Sequence, residues 1–249
     1  MKTILVPYHH AEPLPVLAQA YHGDDAVVVS KGPAGAMLAR LYEQVATRVA
    51  ASDEPVTVIS GDCTTALATI AGLQRRGAVP GVIWIDAHAD FHTARTTRSG
   101  DLSGMALAMA TGRGGAALTA PLGLRAVPDE ACVLAGVRDV EPGEREALEA
   151  SAIRRLPLEE LAAAPLPDGP WYVHLDLDVL DPATLPPLRF PVAGGPSLVM
   201  LGEVLRTLAR RGTIAALGVG CTLTSRALAE PDALEPLRRL VENAMGTLG

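Results

Sequence analysis

Short apolar runs alternate with amphipathic stretches along the whole chain. Apolar, strand-like runs fall at residues 3–7, 26–30, 56–60, 82–86, 132–137, 153–156, 172–178 and 214–219. Between them, residues 34–51 and 64–76 carry apolar positions at helical spacing, and the second stretch stops at Gly77, a residue suited to the left-handed turn beyond a helix end. Residues 141–150 place Pro142 in the first turn with acids close behind, as the helix dipole favours. Residues 197–210 follow Gly194, Gly195 and Pro196 and close on arginines before Gly212, and residues 231–245 read as a last helix. This alternation predicts an α/β fold: a mostly parallel sheet of about eight strands with helices on both faces. The Gly- and Pro-rich segments 112–128 and 183–196 read as loops, because strands of the same series continue beyond each. No repeat or shift in composition divides the chain, so a single domain over 1–249 is expected.

Composition narrows the class of partner. The 249 residues are 49% hydrophobic, enough for a substantial core. Net charge is −7, the only lysines are Lys2 and Lys31, and basic residues do not cluster. Nucleic acid and anionic membrane surfaces are thereby disfavoured, and a small-molecule ligand is expected. The opening MKTILVPYHH has too short an apolar stretch before His9 and His10 for a secretory leader, and no run approaches membrane-spanning length. Three cysteines, Cys63, Cys132 and Cys221, do not make a disulfide framework, and a reducing cytoplasm is the expected setting. Cys132 reads as core.

The chemistry concentrates in two stretches. WIDAHADFHTARTTRSGDLSG, residues 84–104, sets Asp86, His88 and Asp90 at alternate positions behind a buried strand, so their side chains can converge. HLDLDVLDP does the same with Asp176 and Asp178 at the end of another strand, followed by Asp181 and Pro182. Carboxylates crowded onto one face of a buried strand repel each other unless a cation joins them. Ligands of open parallel sheets bind beyond the carboxyl ends of the strands, where both clusters lie. Four carboxylates and an imidazole suffice for two divalent ions, which can turn a shared water into a hydroxide nucleophile near neutral pH.

In order along the chain, SGDC (60–63), DAHAD (86–90), SGDLSG (99–104), GVRDVEPGE (136–144) and DLDVLDP (176–182) resemble the motifs of the arginase and agmatinase ureohydrolases. The resemblance covers most of the chain. It implies a three-layer α/β/α fold around an eight-stranded parallel sheet, a binuclear Mn2+ site, hydrolysis of guanidino groups, and trimers or hexamers. By this resemblance Asp86 and Asp176 bridge the ions, Asp90 completes one shell, and His88 and Asp178 complete the other. Cys63 stands where the family has a His, and Asp62 matches its supporting acid. Thr97 and Ser99 fall near the bound substrate, and Glu141 and Glu144 where arginases recognise the amino group, with Glu141 replacing the usual Asp.

Three departures bear on activity. A thiolate at Cys63 adds negative charge, weakens the ions as Lewis acids and suits zinc better than manganese, so one ion or Zn2+ is an alternative to two Mn2+. Ser103 replaces a proton-shuttling His, a task open to His92. Cys221 stands where the family places the Glu that holds the guanidinium. Hydroxyarginine hydrolases resemble this chain at the Cys motif and along residues 90–104, and a less basic hydroxyguanidine depends less on a carboxylate partner. The expected function is metal-dependent hydrolysis of a non-peptide C–N bond in a small guanidino, hydroxyguanidino or amidine compound. Asp90 orients the nucleophile, and His92 supplies the acid. A zinc deacylase on Asp86, His88 and Asp176 and a degenerate, non-catalytic relative are the alternatives. Tyr8, His9 and His10 are candidates for the entrance, and Arg95, Arg98 and Arg189 for a substrate carboxylate. His174 is read either as a support beneath Asp176 or as a packed core histidine.

Overall fold

The computed structural model describes residues 2–20, 25–184, 188–220 and 223–224, together with 235, 239 and 243. Eight strands form one sheet: β1 (Lys2–Val6), β2 (Asp25–Ala26), β3 (Val56–Ser60), β4 (Gly81–Ile85), β5 (Cys132–Ala135), β6 (Arg154–Leu156), β7 (Trp171–Asp176) and β8 (Ile214–Gly220). Their spatial order is β2-β1-β3-β8-β7-β4-β5-β6, with every pairing parallel. Helices α1 (Pro15–Ala20), α2 (Ala34–Ala50), α3 (Thr65–Arg75), α4 (Ala106–Ala110), α5 (Ala116–Leu122), α6 (Pro142–Glu149), α7 (Leu158–Leu161) and α8 (Leu198–Arg211) connect them.

Strand alternation builds the layers. Val82 and Trp84 of β4 point into a core shared with Leu41 and Val45 of α2 and Leu67 and Ile70 of α3. Ile83 and Ile85 point the other way, into a core shared with Leu161 of α7 and Leu201 and Leu205 of α8. Both faces are therefore apolar, as a doubly covered parallel sheet requires. Each fully buried aliphatic side chain contributes about 1.5–3 kcal/mol. Register then fixes the working edge, because Val6 pairs with Ser60, Ser60 with Gly220, and Gly220 with Asp176. The carboxyl ends of four neighbouring strands thus finish level.

Three local departures from the expected elements have physical causes. The run at 26–30 contributes only the short edge strand β2, since beyond it Val29 N donates to the Tyr8 hydroxyl and Val28 O accepts from Gln44. The run at 172–178 stops at Asp176, whose Oδ1 accepts Asp178 N and winds residues Leu177–Val179 into a tight turn. The loop expected at 112–128 contains α5, bounded by left-handed Gly115 and Gly123. The helix expected at 231–245 falls almost entirely outside the described residues. Among the described residues no helix is long and apolar enough to cross a membrane.

Candidate metal centre

Three strand ends supply the centre. Beyond β3, Gly61 passes so close to Tyr8 that a Cβ would lie 2.4 Å from its carbonyl oxygen. Only glycine fits there, and the turn delivers Asp62 and Cys63. Asp62 is consumed by local structure: it accepts from His10 N at 2.7 Å, from Thr65 N at 3.3 Å and from the Thr64 hydroxyl. Cys63 instead faces the neighbouring cluster, its Sγ donating to Asp176 Oδ2 at 2.9 Å.

Beyond β4, Asp86 accepts His88 N on one oxygen at 2.7 Å and Trp84 Nε1 on the other at 3.1 Å. His88 Nδ1 lies 2.9 Å from Asp178 Oδ2 and 3.6 Å from Asp86 Oδ1. Asp90 has φ +50°, one of two positive values among the described non-glycine residues, the other being at His10. A carboxylate residue in the left-handed region is held there by its surroundings at a cost of about 1–3 kcal/mol. Those surroundings are Ala108 N on its carbonyl and, one residue on, Glu144 Oε1 accepting Phe91 N at 2.9 Å. Asp90 Oδ2 is buried without a hydrogen-bond partner.

The ligand-type atoms fall into two overlapping groups, Cys63 with Asp86, Asp90 and His174, and Asp86 with His88 and Asp178. Within each, one atom per residue lies within 4.8 Å of all the others. Burial and then Asp86 push Asp90 well above the usual carboxylate range, and burial with Asp178 and Asp86 does the same to Asp176. Burial followed by Asp86 raises Asp178 to about 7. Asp86 goes the other way: burial opposes its charge, but His88 holds it below the ordinary value. Burial also opposes charge on His88, yet its hydrogen bonds to Asp178 and Asp86 raise it to about 12. Burial and the carboxylates raise the Cys63 thiol, so without a cation it is the neutral donor seen in its contact with Asp176. Protons sit where positive charge is wanted.

A cavity of about 240 Å³ opens over these groups. It brings Cys63, Asp86, His88, Asp90, Asp176 and Asp178 together, and His92, Ser99, Ser103, Glu141 and Glu144 line it as well. His92 Nδ1 is 3.1 Å from the Thr96 hydroxyl, and its Nε2 faces Glu141 and Glu144 at 3.5 and 3.6 Å. Glu144 is only 4% exposed and spends its oxygens on Phe91 N and Glu141 N, closing the first turn of α6. Ser103 Oγ is buried and unpartnered. Thr97 does not line the cavity itself; its hydroxyl accepts Gly100 N and lies 3.5 Å from that of Ser99, which does. Cys221 lies outside the described residues.

Sequence reasoning passed over four residues. Asp139 and Phe190 line the cavity, the latter edge-on to His88 at 6.4 Å between ring centres. Asp101 lines it too and meets His10 Nε2 at 3.0 Å, which ties the two-residue antiparallel strands Tyr8–His9 and Glu12–Pro13 to the rim. Arg138 donates to the carbonyls of Gly136, Asp178, Val179, Val192 and Ala193, so one guanidinium pins the loops around Asp178 and Phe190. Asp139 and Arg138 stand within GVRDVEPGE and were findable there. Phe190 sits in a proline-rich loop with no local signal.

Comparison with known proteins places this geometry. The profile of the Arginase family matches residues 6–220. An arginase of Brucella melitensis is 35% identical over 200 residues, covering 70% of this chain and 62% of that protein. An N(omega)-hydroxy-L-arginine amidinohydrolase of Streptomyces lavendulae is 35% identical over 171 residues, covering 67% of this chain and 60% of that protein. The chain thus aligns with about three fifths of the length of these relatives. The solved arginase of Bacillus caldovelox superposes with a TM-score of 0.80 at 25% identity, covering 100% of this chain and 98% of that one. With its sheet order, its two aspartate-rich strand ends and its profile match in agreement, the chain belongs to the arginase family.

Proposed function

We propose that the protein is a metal-dependent hydrolase that cleaves a C–N bond of a small guanidino, hydroxyguanidino or amidine compound. The observation that carries this reading is the convergence of four buried carboxylates, with Asp90 Oδ2 unpartnered and three of the four driven toward protonation. Such a set fits divalent cations and little else, since apolar replacements or a paired base would otherwise relieve the repulsion. Asp86 and Asp176 would be shared between two ions, with Asp90 on the Cys63 side and His88 and Asp178 on the other. When bound, the ions supply Lewis-acid activation of water near neutral pH.

The chain's own residues do the rest. Phe190 lines the mouth beside His88 and gives it an apolar edge, while Arg138 holds the loop that carries it. Asp90 Oδ2 would orient the attacking water by accepting a hydrogen bond from it. His92 Nε2 delivers a proton to the departing amine: one C–O bond forms, one C–N bond breaks, and the water's protons end on the products. The Streptomyces lavendulae relative is named for N(omega)-hydroxy-L-arginine, so hydroxyguanidines head the substrates to assay. Protein loaded with Mn2+ or Zn2+ is expected to release urea or hydroxyurea from arginine, hydroxyguanidino or guanidino acids. Absence of turnover above the metal-free protein for every compound rejects the proposal.

A second reading has its own observation. Asp86, His88 and Asp178 form a compact trio on their own, with Cys63 still a thiol, an arrangement that can hold a single zinc. His88 meets Asp178 in that trio, the residue grouped with it in the two-ion reading, whereas the deacylase alternative named Asp176. One ion per chain together with amide hydrolysis would select a deacylase.

A further inference from the structure

His174 lies in β7 and is 2% exposed. Its ring stacks on Trp84 with centres 3.8 Å apart and planes 23° from parallel. Nδ1 is 3.1 Å from the Tyr172 hydroxyl. That hydroxyl rests over Gly218, where a Cβ would lie 2.2 Å away, so β8 carries no side chain there and the tyrosine is fixed from behind. The ring is therefore clamped on one face and at one edge. Its remaining polar atom, Nε2, is buried and has no hydrogen-bond partner.

An unsatisfied buried nitrogen is costly to leave unpaired, so its retention calls for a partner. His174 shares its surroundings with Cys63, Asp86 and Asp90, a ligand atom of each lying within 4.8 Å of the others. Asp90 Oδ2 is the second unpartnered buried atom of the same cluster. We propose that His174 Nε2 is the nitrogen ligand of the ion held by Asp86 and Asp90, with Cys63 as its sulfur ligand. This rests on the metal reading given above. The imidazole expected at position 63 is then supplied from across β8, and the Tyr172 oxygen accepts Nδ1–H, which leaves the lone pair on Nε2. A thiolate, an imidazole and two carboxylates favour zinc or cobalt over manganese at this subsite, while Asp86, His88 and Asp178 keep an oxygen-rich one.

The test uses the full chain and Co2+ alone. Wild type is expected to bind two Co2+ by equilibrium dialysis and to show two hyperfine-shifted imidazole N–H protons in NMR, one from each histidine ligand. His174→Phe keeps the stacked ring and removes its nitrogen. It should lose one N–H signal and bind the second Co2+ at least about 10–100-fold more weakly. Adding Cys63→His to that variant should restore tight binding of the second ion. Two tightly bound ions with a single N–H signal in wild type, or unchanged affinity in His174→Phe, overturns the role of His174 and leaves the metal centre standing. No Co2+ bound to wild type overturns the metal reading and this inference together. If His174→Phe does not fold, the number of N–H signals in wild type decides alone.

Discussion

The two halves of the candidate metal centre solve the same electrostatic problem differently. On the outer side, Asp86 and Asp178 hold His88, which its hydrogen bonds to these two carboxylates raise to about 12 against the opposing effect of burial. That half carries its own counter-charge. On the inner side, Asp90 and Asp176 face Cys63 and His174, none of which offers positive charge, because burial pulls His174 down to about 4 and raises the thiol. Here the carboxyls must keep protons. A buried carboxylate cluster is stable with an internal cation or with a bound one, and the inner half has only the second option.

Asp86 belongs to both halves, so Asp86→Asn should have the largest effect. Removing one charged member of a buried cluster costs about 3–5 kcal/mol, equivalent to roughly 100–1,000-fold or more in metal affinity and turnover. Dialysis against metal should show both ions weakened; loss of one alone would mean the halves do not share this ligand. Asp90→Asn separates them. It should weaken one ion while raising the metal-free melting temperature, as about 1 kcal/mol of repulsion is relieved, and a lower metal-free melting temperature would contradict the assignment of repulsion to this residue.

The smallest effect expected is on the pH dependence of stability. Asp90, Asp176 and Asp178 have folded-state values above the unfolded one of 3.8, so the metal-free fold binds the extra protons. Their stabilisation is complete below that unfolded value and is lost as pH rises, for Asp178 through about 7. His88 acts in the same direction, losing its contribution between 6.5 and about 12. Asp25 and Asp129, paired with arginines, are lowered and weaken the fold only as pH falls below 3.8. Metal-free protein should therefore melt lower at pH 8 than at pH 5.5, and saturating metal should flatten or reverse that slope. A metal-free melting temperature that climbs over this interval would refute the protonation assigned to Asp90, Asp176, Asp178 and His88.

Much of the centre was legible because strand periodicity and position act over a few residues. Asp86, His88 and Asp90 follow β4, Asp176 closes β7 and Asp178 follows it, so their place at the carboxyl edge needed only the strands to be recognised, although left-handed Asp90 and the turn at Asp178 complete the convergence. His174 was visible too, but its surroundings were not. Its spacing suggested a place beneath Asp176 or a packed core position, and its ring lies against Trp84 with one nitrogen sharing space with Cys63, Asp86 and Asp90. Those neighbours come from β3 and β4, and no spacing along β7 reveals them. Glu144 shows the same limit. It lines the cavity as expected, and its hydrogen bonds to the Phe91 and Glu141 amides, which no spacing announces, fix it there.

By itself, then, the sequence determined the layered α/β architecture, the parallel strands and the two acidic strand ends. Apolar periodicity and residue order are local properties that a single chain displays openly. Only the tertiary structure decided which carboxylate meets which partner: Asp178 on His88, Asp176 on Cys63, and Asp90 with no partner for Oδ2. Those pairings depend on the order β3-β8-β7-β4 and on glycines at Gly61 and Gly218 that let neighbouring groups close in. Electrostatic energy varies with distance and burial, and both are set by strands that lie far apart in the chain.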